Sequence, residues 1–271
     1  MSRKRLFEGT ITDNLIVETD GATGWITFND PARHNAISYD MWDHLPRALD
    51  AFEKDPDIRS VVLTGAGDRA FVSGANISQF DALRTGQSAV EEYERVAELA
   101  QLAIQDFPKP LIARIDGYCI GGGANIALCC DLRIASEVST FAIPAARLGL
   151  GYRFSAIQNL VRATGMANAL EIFLTAARYD AATARDKGLI HTCCPKEELD
   201  AVLQGYLDMI NANAPLTMAA GKYMIRTVTD RLADIDMDDM RARILACFES
   251  EDYQEGKRAF AEKRTPRFQG R

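Results

Sequence analysis

Strand-length apolar runs alternating with helix-periodic stretches through about residue 195 predict an α/β chain. After Pro195 the pattern turns helical to the end. Inside the alternating part, a glycine triplet joins an apolar run to a helix-like stretch in Asp116-Gly117-Tyr118-Cys119-Ile120-Gly121-Gly122-Gly123-Ala124-Asn125. Together these place a strand-bearing core over residues 1–200 and a helical region over 201–271.

The elements follow in order. Gly24-Trp25-Ile26-Thr27-Phe28 reads as a strand, and Asn29-Asp30-Pro31-Ala32-Arg33-His34-Asn35-Ala36 as a proline turn and a helix start. Met41, Leu45, Leu49 and Phe52 recur at helical spacing. Val61-Val62-Leu63-Thr64-Gly65-Ala66-Gly67 reads as a buried strand ending in a turn, after which the small residues of 70–77 lead into a polar stretch. Residues 81–98 are charged, with Arg84, Glu91, Glu92, Glu94 and Arg95, and are assigned no chemistry. Leu111-Ile112-Ala113-Arg114-Ile115 reads as the strand that feeds the glycine turn, 124–130 as the helix after it, and Leu132-Arg133-Ile134-Ala135 as the next strand. Beyond Pro195, Leu199, Val202, Leu203, Tyr206, Leu207, Met209 and Ile210 mark one amphipathic helix, and helices over 216–228, 237–248 and 252–263 follow.

Strand, glycine turn and helix aim free backbone N–H groups at one point, and the positive end of the helix dipole adds to them. Such a point holds a phosphate or a developing oxyanion. The spacing departs from Gly-x-x-x-x-Gly-Lys-Ser/Thr and no lysine follows, which argues against a nucleotide P-loop. Taken alone, the triplet is also what a tight turn with close packing requires.

The segments 24–36, 61–77 and 116–125, in this order and at these separations, resemble the crotonase (enoyl-CoA hydratase/isomerase) superfamily, from about Asn14 to the C-terminus. The resemblance implies a crotonase-like ββα spiral core with a C-terminal helical trimerisation region, assembled as a homotrimer or hexamer. It implies that the backbone N–H groups of Ala75 and Gly122 surround the thioester carbonyl of an acyl-CoA substrate. Coenzyme A then enters as part of the substrate, with no separate cofactor and no metal. Arg33 is the implied basic contact to the nucleotide end, Ser73, Gly74, Asn76 and Ile77 wrap the thioester and adenine, and Phe260 and Lys263 come from the C-terminal helix.

The departures from the family pattern carry as much information. Hydratases of this family use two glutamates, and their positions here hold Asn125 and Ala145, the latter directly after Pro144. An amide or a methyl does not replace a general acid or base, each worth roughly 10²–10⁴ in rate. Decarboxylation of a 2-carboxyacyl thioester makes the enolate without removing a proton, so it needs the backbone donors and no base. Ile143, Ala145 and Leu150 supply an apolar wall for the departing carboxylate. Leu148-Gly149-Leu150-Gly151-Tyr152 and the tail over 250–268 are similar to the methylmalonyl-CoA decarboxylase branch, which places an active-site tyrosine where Tyr152 stands. That branch carries a histidine at the position of Ala75, and Arg153 follows the tyrosine here, either as a carboxylate ligand or as a solvated helix residue. The leading expectation is therefore an acyl-CoA lyase, decarboxylating a methylmalonyl-CoA-like substrate. The alternatives are an enoyl-CoA hydratase/isomerase with a non-standard acid or base, for which Asp81 and the acidic residues after it are the nearest candidates, and a non-catalytic CoA-binding or scaffold homologue.

Composition bounds the rest. The chain has 271 residues, 47% apolar and 25% charged, ordinary for a globular enzyme with an ample core. A net charge of −7 argues against a nucleic-acid surface. The six cysteines, Cys119, Cys129, Cys130, Cys193, Cys194 and Cys247, show no Cys-x-x-Cys spacing and read as small side chains in a reducing compartment. Cys119 lies beside the triplet without a partner histidine, and His34, His44 and His191 are scattered. The basic start lacks the apolar run of a secretory signal, and no stretch approaches the roughly twenty apolar residues of a membrane helix. The expectation is a cytoplasmic protein with no membrane or nucleic-acid partner.

Overall fold

A computed structural model of the chain describes residues 3–6, 12–76, 87–230, 238, 245, 248–264 and 266. Strands β1 (Lys4–Arg5), β2 (Leu15–Asp20) and β3 (Thr23–Phe28) pair antiparallel in sequence order. Helix α1 (Tyr39–Lys54) then returns the chain so that β4 (Ser60–Gly65) lies parallel to β3. Its inner face carries Met41, Trp42, Leu45, Ala48, Leu49 and Phe52, all buried, which extends the four-residue helical period read from the sequence.

From β4 onward one unit recurs: a strand in a large sheet, a strand in a small sheet, then a helix. The first is β4, β5 (Ala70–Val72) and α2 (Gln87–Asp106). The second is β6 (Leu111–Ile115), β7 (Tyr118–Ile120) and α3 (Gly122–Cys129). The third is β8 (Leu132–Ser136), β9 (Thr140–Ala142) and α4 (Phe154–Thr175), the last bent at Gly165. β10 (Arg178–Asp180), α5 (Ala181–Asp186) and β11 (Thr192–Cys194) complete the layout. The large sheet runs β1-β2-β3-β4-β6-β8-β11 and the small one β10-β9-β7-β5. This is the ββα spiral expected from the resemblance. No sequence repeat announces it, because each unit needs only apolar strands and a helix, and many side chains meet that requirement.

The large sheet is covered on both faces, so its central strands are largely buried, and all six residues of β3 are. Ile26, Phe28, Val61, Leu63, Leu111 and Ala113 join the main core with α1, α2 and α3. Trp25, Val62, Ile112 and Ile134 face the opposite way, against Leu199, Leu203 and Leu207 of α6 (Leu199–Ala212). Met209, grouped with that face in the sequence, is 61% exposed; the buried stripe follows i, i+4, i+8 and leaves position 209 on the solvent side.

Two further helices flank the core. On α7 (Pro215–Asp230), Lys222 and Arg226 donate to the two carboxylate oxygens of Asp131, at 2.6 and 3.0 Å. α8 (Glu251–Ala261) lies against the 3₁₀ turn Ala145–Leu148. The approach is close enough that a methyl on Gly256 would fall 2.1 Å from the carbonyl oxygen of Leu148. Lys263, assigned to this helix from sequence, stands just beyond its end with a left-handed φ of 53°. Most of the helix expected over 237–248, and Cys247, lie outside the described residues.

Candidate active site

The strand that delivers the chain to the glycine turn is β7, in the small sheet; β6, which the sequence reading placed there, ends five residues earlier in the large one. The reason is Gly117, whose φ of +79° turns the chain from one sheet into the other. After β7, Gly121 takes φ 55° and ψ −113°, a conformation closed to residues with a side chain, and caps α3 by accepting from the Asn125 N–H at 3.0 Å. Gly123 answers a different need: a methyl there would meet the Val72 carbonyl oxygen at 2.1 Å. Gly122 is the first residue of α3, so its N–H has no acceptor within the helix.

Ala75 reaches the same place from the other side. Ile37 forms a parallel bridge with Ala75, donating to the carbonyl of Gly74 and accepting from the N–H of Asn76, both at 2.8 Å. In a parallel bridge those two neighbours use up the pairing, and the amide of Ala75 itself points the opposite way. It points toward α3: a methyl built on Gly122 would lie 3.8 Å from the Ala75 nitrogen and 3.9 Å from the Trp42 ring. Trp42 is fixed by its own bond, Nε1 donating to the Tyr93 hydroxyl at 3.1 Å. Two adjacent amides that secondary structure leaves over, with only glycine and alanine side chains between them, can hold one oxygen that gains negative charge.

The segment before Ala75 is zipped to the Arg33 turn. Ser73 N–H donates to His34 O at 3.1 Å, and Ser73 Oγ to Arg33 O at 3.3 Å. Beneath them Asn35, fully buried with φ 55°, donates to the carbonyls of Ala66 and Ala70 at 2.9 and 2.7 Å and accepts from Asp30 N–H at 3.0 Å. Asn35 was not singled out in the sequence, although asparagine is the residue type that tolerates a left-handed turn while bonding backbone on both sides. The Arg33 guanidinium is exposed and pairs with Asp30 at 3.2 Å. Arg33, Ser73, Gly74 and Asn76 therefore form one continuous edge, while Ile77 and Asp81 lie outside the described residues.

Asn125 and Ala145 are both buried, at 2% exposure each. Asn125 is one turn into α3 from Gly122, and its Oδ1 has no hydrogen-bond partner. Ala145 opens the turn after Pro144, whose ring abuts Gly121, and the Gly121 N–H donates to Ala142 O at 2.8 Å. Ile143 lines a small apolar cavity beneath α3 with Cys119, Ala124 and Phe141. Burial pushes the Cys119 thiol far above its usual range, which leaves it a packed apolar group.

Tyr152 packs against Phe173, ring centroids 5.6 Å apart, and its hydroxyl oxygen is sealed from solvent without a partner. That burial raises the phenol well above its ordinary range and keeps it protonated. Arg153, at the start of α4, is mostly buried, and its guanidinium donates to Glu94 O at 3.2 Å and pairs with the Glu94 carboxylate at 3.5 Å. Phe260 is exposed on α8, and no described hydrogen bond or ion pair joins it or the Lys263 side chain to the Arg33 turn.

Comparison with known proteins agrees with this layout. The family model described as enoyl-CoA hydratase/isomerase matches residues 18–271. The short-chain-enoyl-CoA hydratase of Clostridium acetobutylicum is 31% identical over 93% of this chain and 96% of its own. A probable enoyl-CoA hydratase of Rhizobium meliloti is 32% identical over 96% and 99%. Among solved structures, a methylmalonyl-CoA decarboxylase superposes with a TM-score of 0.86 at 30% identity, covering 97% of this chain and 100% of that one. Most of these sequence relatives carry hydratase names and one is a dienoyl-CoA isomerase, while a decarboxylase stands among the structural neighbours. With a match across nearly its whole length and the two leftover amides at the junction of β5 and α3, the chain belongs to the enoyl-CoA hydratase/isomerase family, the crotonase superfamily of acyl-CoA enzymes.

Proposed function

We propose that this enzyme converts an acyl-CoA thioester through an enolate whose oxygen rests on the amides of Ala75 and Gly122, and that the reaction is hydration or isomerisation of an enoyl-CoA. The enolate is supported by the two amides that no secondary structure uses. The choice of enoyl-CoA is supported by the hydratase names of the relatives. Arg33 with Ser73, Gly74, Asn76 and Ile77 meets the coenzyme A portion, and Phe260 and Lys263 approach its nucleotide end from another subunit of a trimer or hexamer. Tyr152, held protonated and unpartnered, gives its proton to the α-carbon of the enolate. Asn125 orients water or substrate by its amide, and the base comes from a group outside positions 125 and 145.

Decarboxylation of a 2-carboxyacyl-CoA is a second reading, favoured by one observation: the positions of both family glutamates hold Asn125 and Ala145. In that reaction the bond from the α-carbon to the carboxylate breaks, carbon dioxide leaves, and the electron pair moves into the thioester oxygen. Tyr152 then protonates the α-carbon as before. Ile143 and Ala145 bound the carboxylate with apolar surface, and Arg153, paired with Glu94, stands beside Tyr152 at the start of α4.

Incubation with crotonyl-CoA, malonyl-CoA, methylmalonyl-CoA and ethylmalonyl-CoA, read by mass spectrometry, separates the two. Water added to crotonyl-CoA with the malonyl set untouched supports the first reading; carbon dioxide lost from a malonyl-type thioester replaces it with the second. In either case Tyr152→Phe is expected to lower kcat by about 10²–10⁴. Unchanged turnover in that variant would remove Tyr152 from the mechanism.

A further inference from the structure

Four side chains beside the site carry polar atoms that are sealed from solvent and bonded to nothing: both amide atoms of Gln101, Oδ1 of Asn125, Oη of Tyr152 and Oγ of Ser155. Helix periodicity shows how they are related. On α2, Glu94, Gln101 and Gln105 fall on one stripe, and its two ends touch the start of α4. Arg153 reaches Glu94 O at 3.2 Å, and Gln105 Nε2 donates to Asn159 Oδ1 at 2.6 Å. Gln101, between them and 1% exposed, therefore faces the first turn of α4, where Ser155 stands one turn before Asn159. Asn159 also donates to Cys129 Sγ at 3.3 Å, and Asn125 stands one turn before Cys129 on α3. A bonded trio of Gln105, Asn159 and Cys129 thus closes one end of a seam between three helices. One turn nearer to Gly122, Asn125 Oδ1, both amide atoms of Gln101 and Ser155 Oγ are left without a partner.

Buried polar groups without partners are costly, and apolar replacements of the same shape remove the cost. Their burial on or beside three helices that are bonded to one another, with Asn125 one turn from Gly122, points to a ligand that satisfies them. The seam offers both donors and acceptors: the Gln101 amide has one of each, Asn125 presents an acceptor, and the two hydroxyls do either. Arg153 is paired with Glu94, and Arg162 and Arg226 sit at the closed end, on Asn159 and on the carbonyls of Gln105 and Cys129, whereas no described cation hydrogen-bonds Gln101, Asn125, Tyr152 or Ser155, which favours an uncharged ligand group there. Asn125 lies about 4.5 Å of helix rise from Gly122, a few chain atoms beyond a carbonyl held there.

We infer that this seam is the far wall of the acyl pocket and that Gln101 and Ser155 select thioesters whose acyl chain carries an uncharged hydrogen-bonding group, most simply a hydroxyl. The inference rests on the acyl-CoA reading proposed above. It makes Gln101 and Ser155 specificity residues, whichever reaction the enolate serves.

Calorimetric titration with hexanoyl-CoA and its 3-, 4-, 5- and 6-hydroxy derivatives tests this without turnover. At least one hydroxylated ligand is expected to bind about tenfold tighter than hexanoyl-CoA, a gap of about 1.4 kcal/mol. Gln101→Leu and Ser155→Ala should each bring that ratio close to one. Gln101→Leu should also raise the melting temperature by about 2–4 °C, because it deletes two unsatisfied atoms. Hexanoyl-CoA bound as tightly as every derivative, or a preference that survives both variants, overturns the inference and leaves the acyl-CoA reading standing. Failure of hexanoyl-CoA and all the derivatives to bind sinks the acyl-CoA reading, and this one with it.

Discussion

Gly122 occupies the one helical position where proline is tolerated, because the amide it lacks has no acceptor there anyway. Gly122→Pro therefore deletes the proposed oxyanion donor while keeping α3. Its kcat is expected to fall by about 10²–10³, with a circular dichroism spectrum and melting curve close to those of the parent protein. Gly123→Ala should give the opposite signature, since its methyl collides with the Val72 backbone at 2.1 Å. Urea unfolding should show about 1–3 kcal/mol of lost stability. These glycines were legible in the sequence because a backbone device leaves a trace in composition. Asn35 and Gln101 were not, because what distinguishes a buried amide from a surface one is the set of carbonyls and helices around it, and those are fixed only by tertiary contact. The Arg153–Glu94 pair was illegible for the same reason: the two residues are distant in sequence and on different helices.

Elements with a strong period were readable and short ones were not. α1 and α6 announced themselves through apolar residues at helical spacing, whereas β7 has three residues and is flanked by glycines that look like one continuous turn. What joins elements is also polar, and Asp131 is the clearest case. It follows α3, accepts from Lys222 and Arg226 of α7, and accepts from the Leu111 N–H of β6 at 2.8 Å. Arg226 also caps α3 by donating to Cys129 O at 3.1 Å. Asp131→Ala removes the carboxylate shared by two partly buried cations and should cost about 1–3 kcal/mol in urea unfolding. A second junction, β8 with the turn before β11, is sensitive to acid. His191 Nδ1 accepts from the Arg133 N–H at 3.1 Å, which requires neutral imidazole, and burial with the Arg133 charge lowers its pKa from 6.5 to about 4. The folded state then binds a proton less readily than the unfolded chain. Stability is fully present above pH 6.5 and declines as pH falls toward 4. The ring is partly open to water, so the loss should not exceed about 1 kcal/mol. Urea midpoints at several pH values should decline less for His191→Asn, which accepts the same bond without titrating.

The outer surface of the molecule is less polar than a chain of net charge −7 leads one to expect. Met166, Leu170 and Leu174 repeat every four residues on the second half of α4 and are all exposed, Leu174 at 71%. Leu216, Tyr223, Met224 and Ile225 are also exposed on α7, with Leu216 at 87%, though without that regular spacing. Isolated exposed apolar residues are ordinary, but a regular row on α4 and an apolar group on α7 are the mark of surfaces that other protein covers. No helix among the described residues is long and apolar enough to cross a membrane, so these rows are not spanning segments. The sequence pointed to a trimer or hexamer only through resemblance, since helix periodicity reports that a face is apolar and is silent on whether its own core or another copy covers it. The folded chain narrows that choice, because these rows face away from its core. Light scattering behind size exclusion should therefore give three or six chain masses at micromolar concentration. Leu170→Glu with Leu174→Glu should shift the distribution toward smaller species, and Leu216→Glu should do so if α7 lies in the same contact. The proposed coenzyme A contacts add a functional readout to the same experiment. If Phe260 and Lys263 reach a neighbour's nucleotide, dissociation raises KM for any acyl-CoA while leaving the amides of Ala75 and Gly122, and hence kcat, nearly unchanged. A chain that runs as a monomer at full activity would mean that these rows meet some other partner and that each subunit completes its own site.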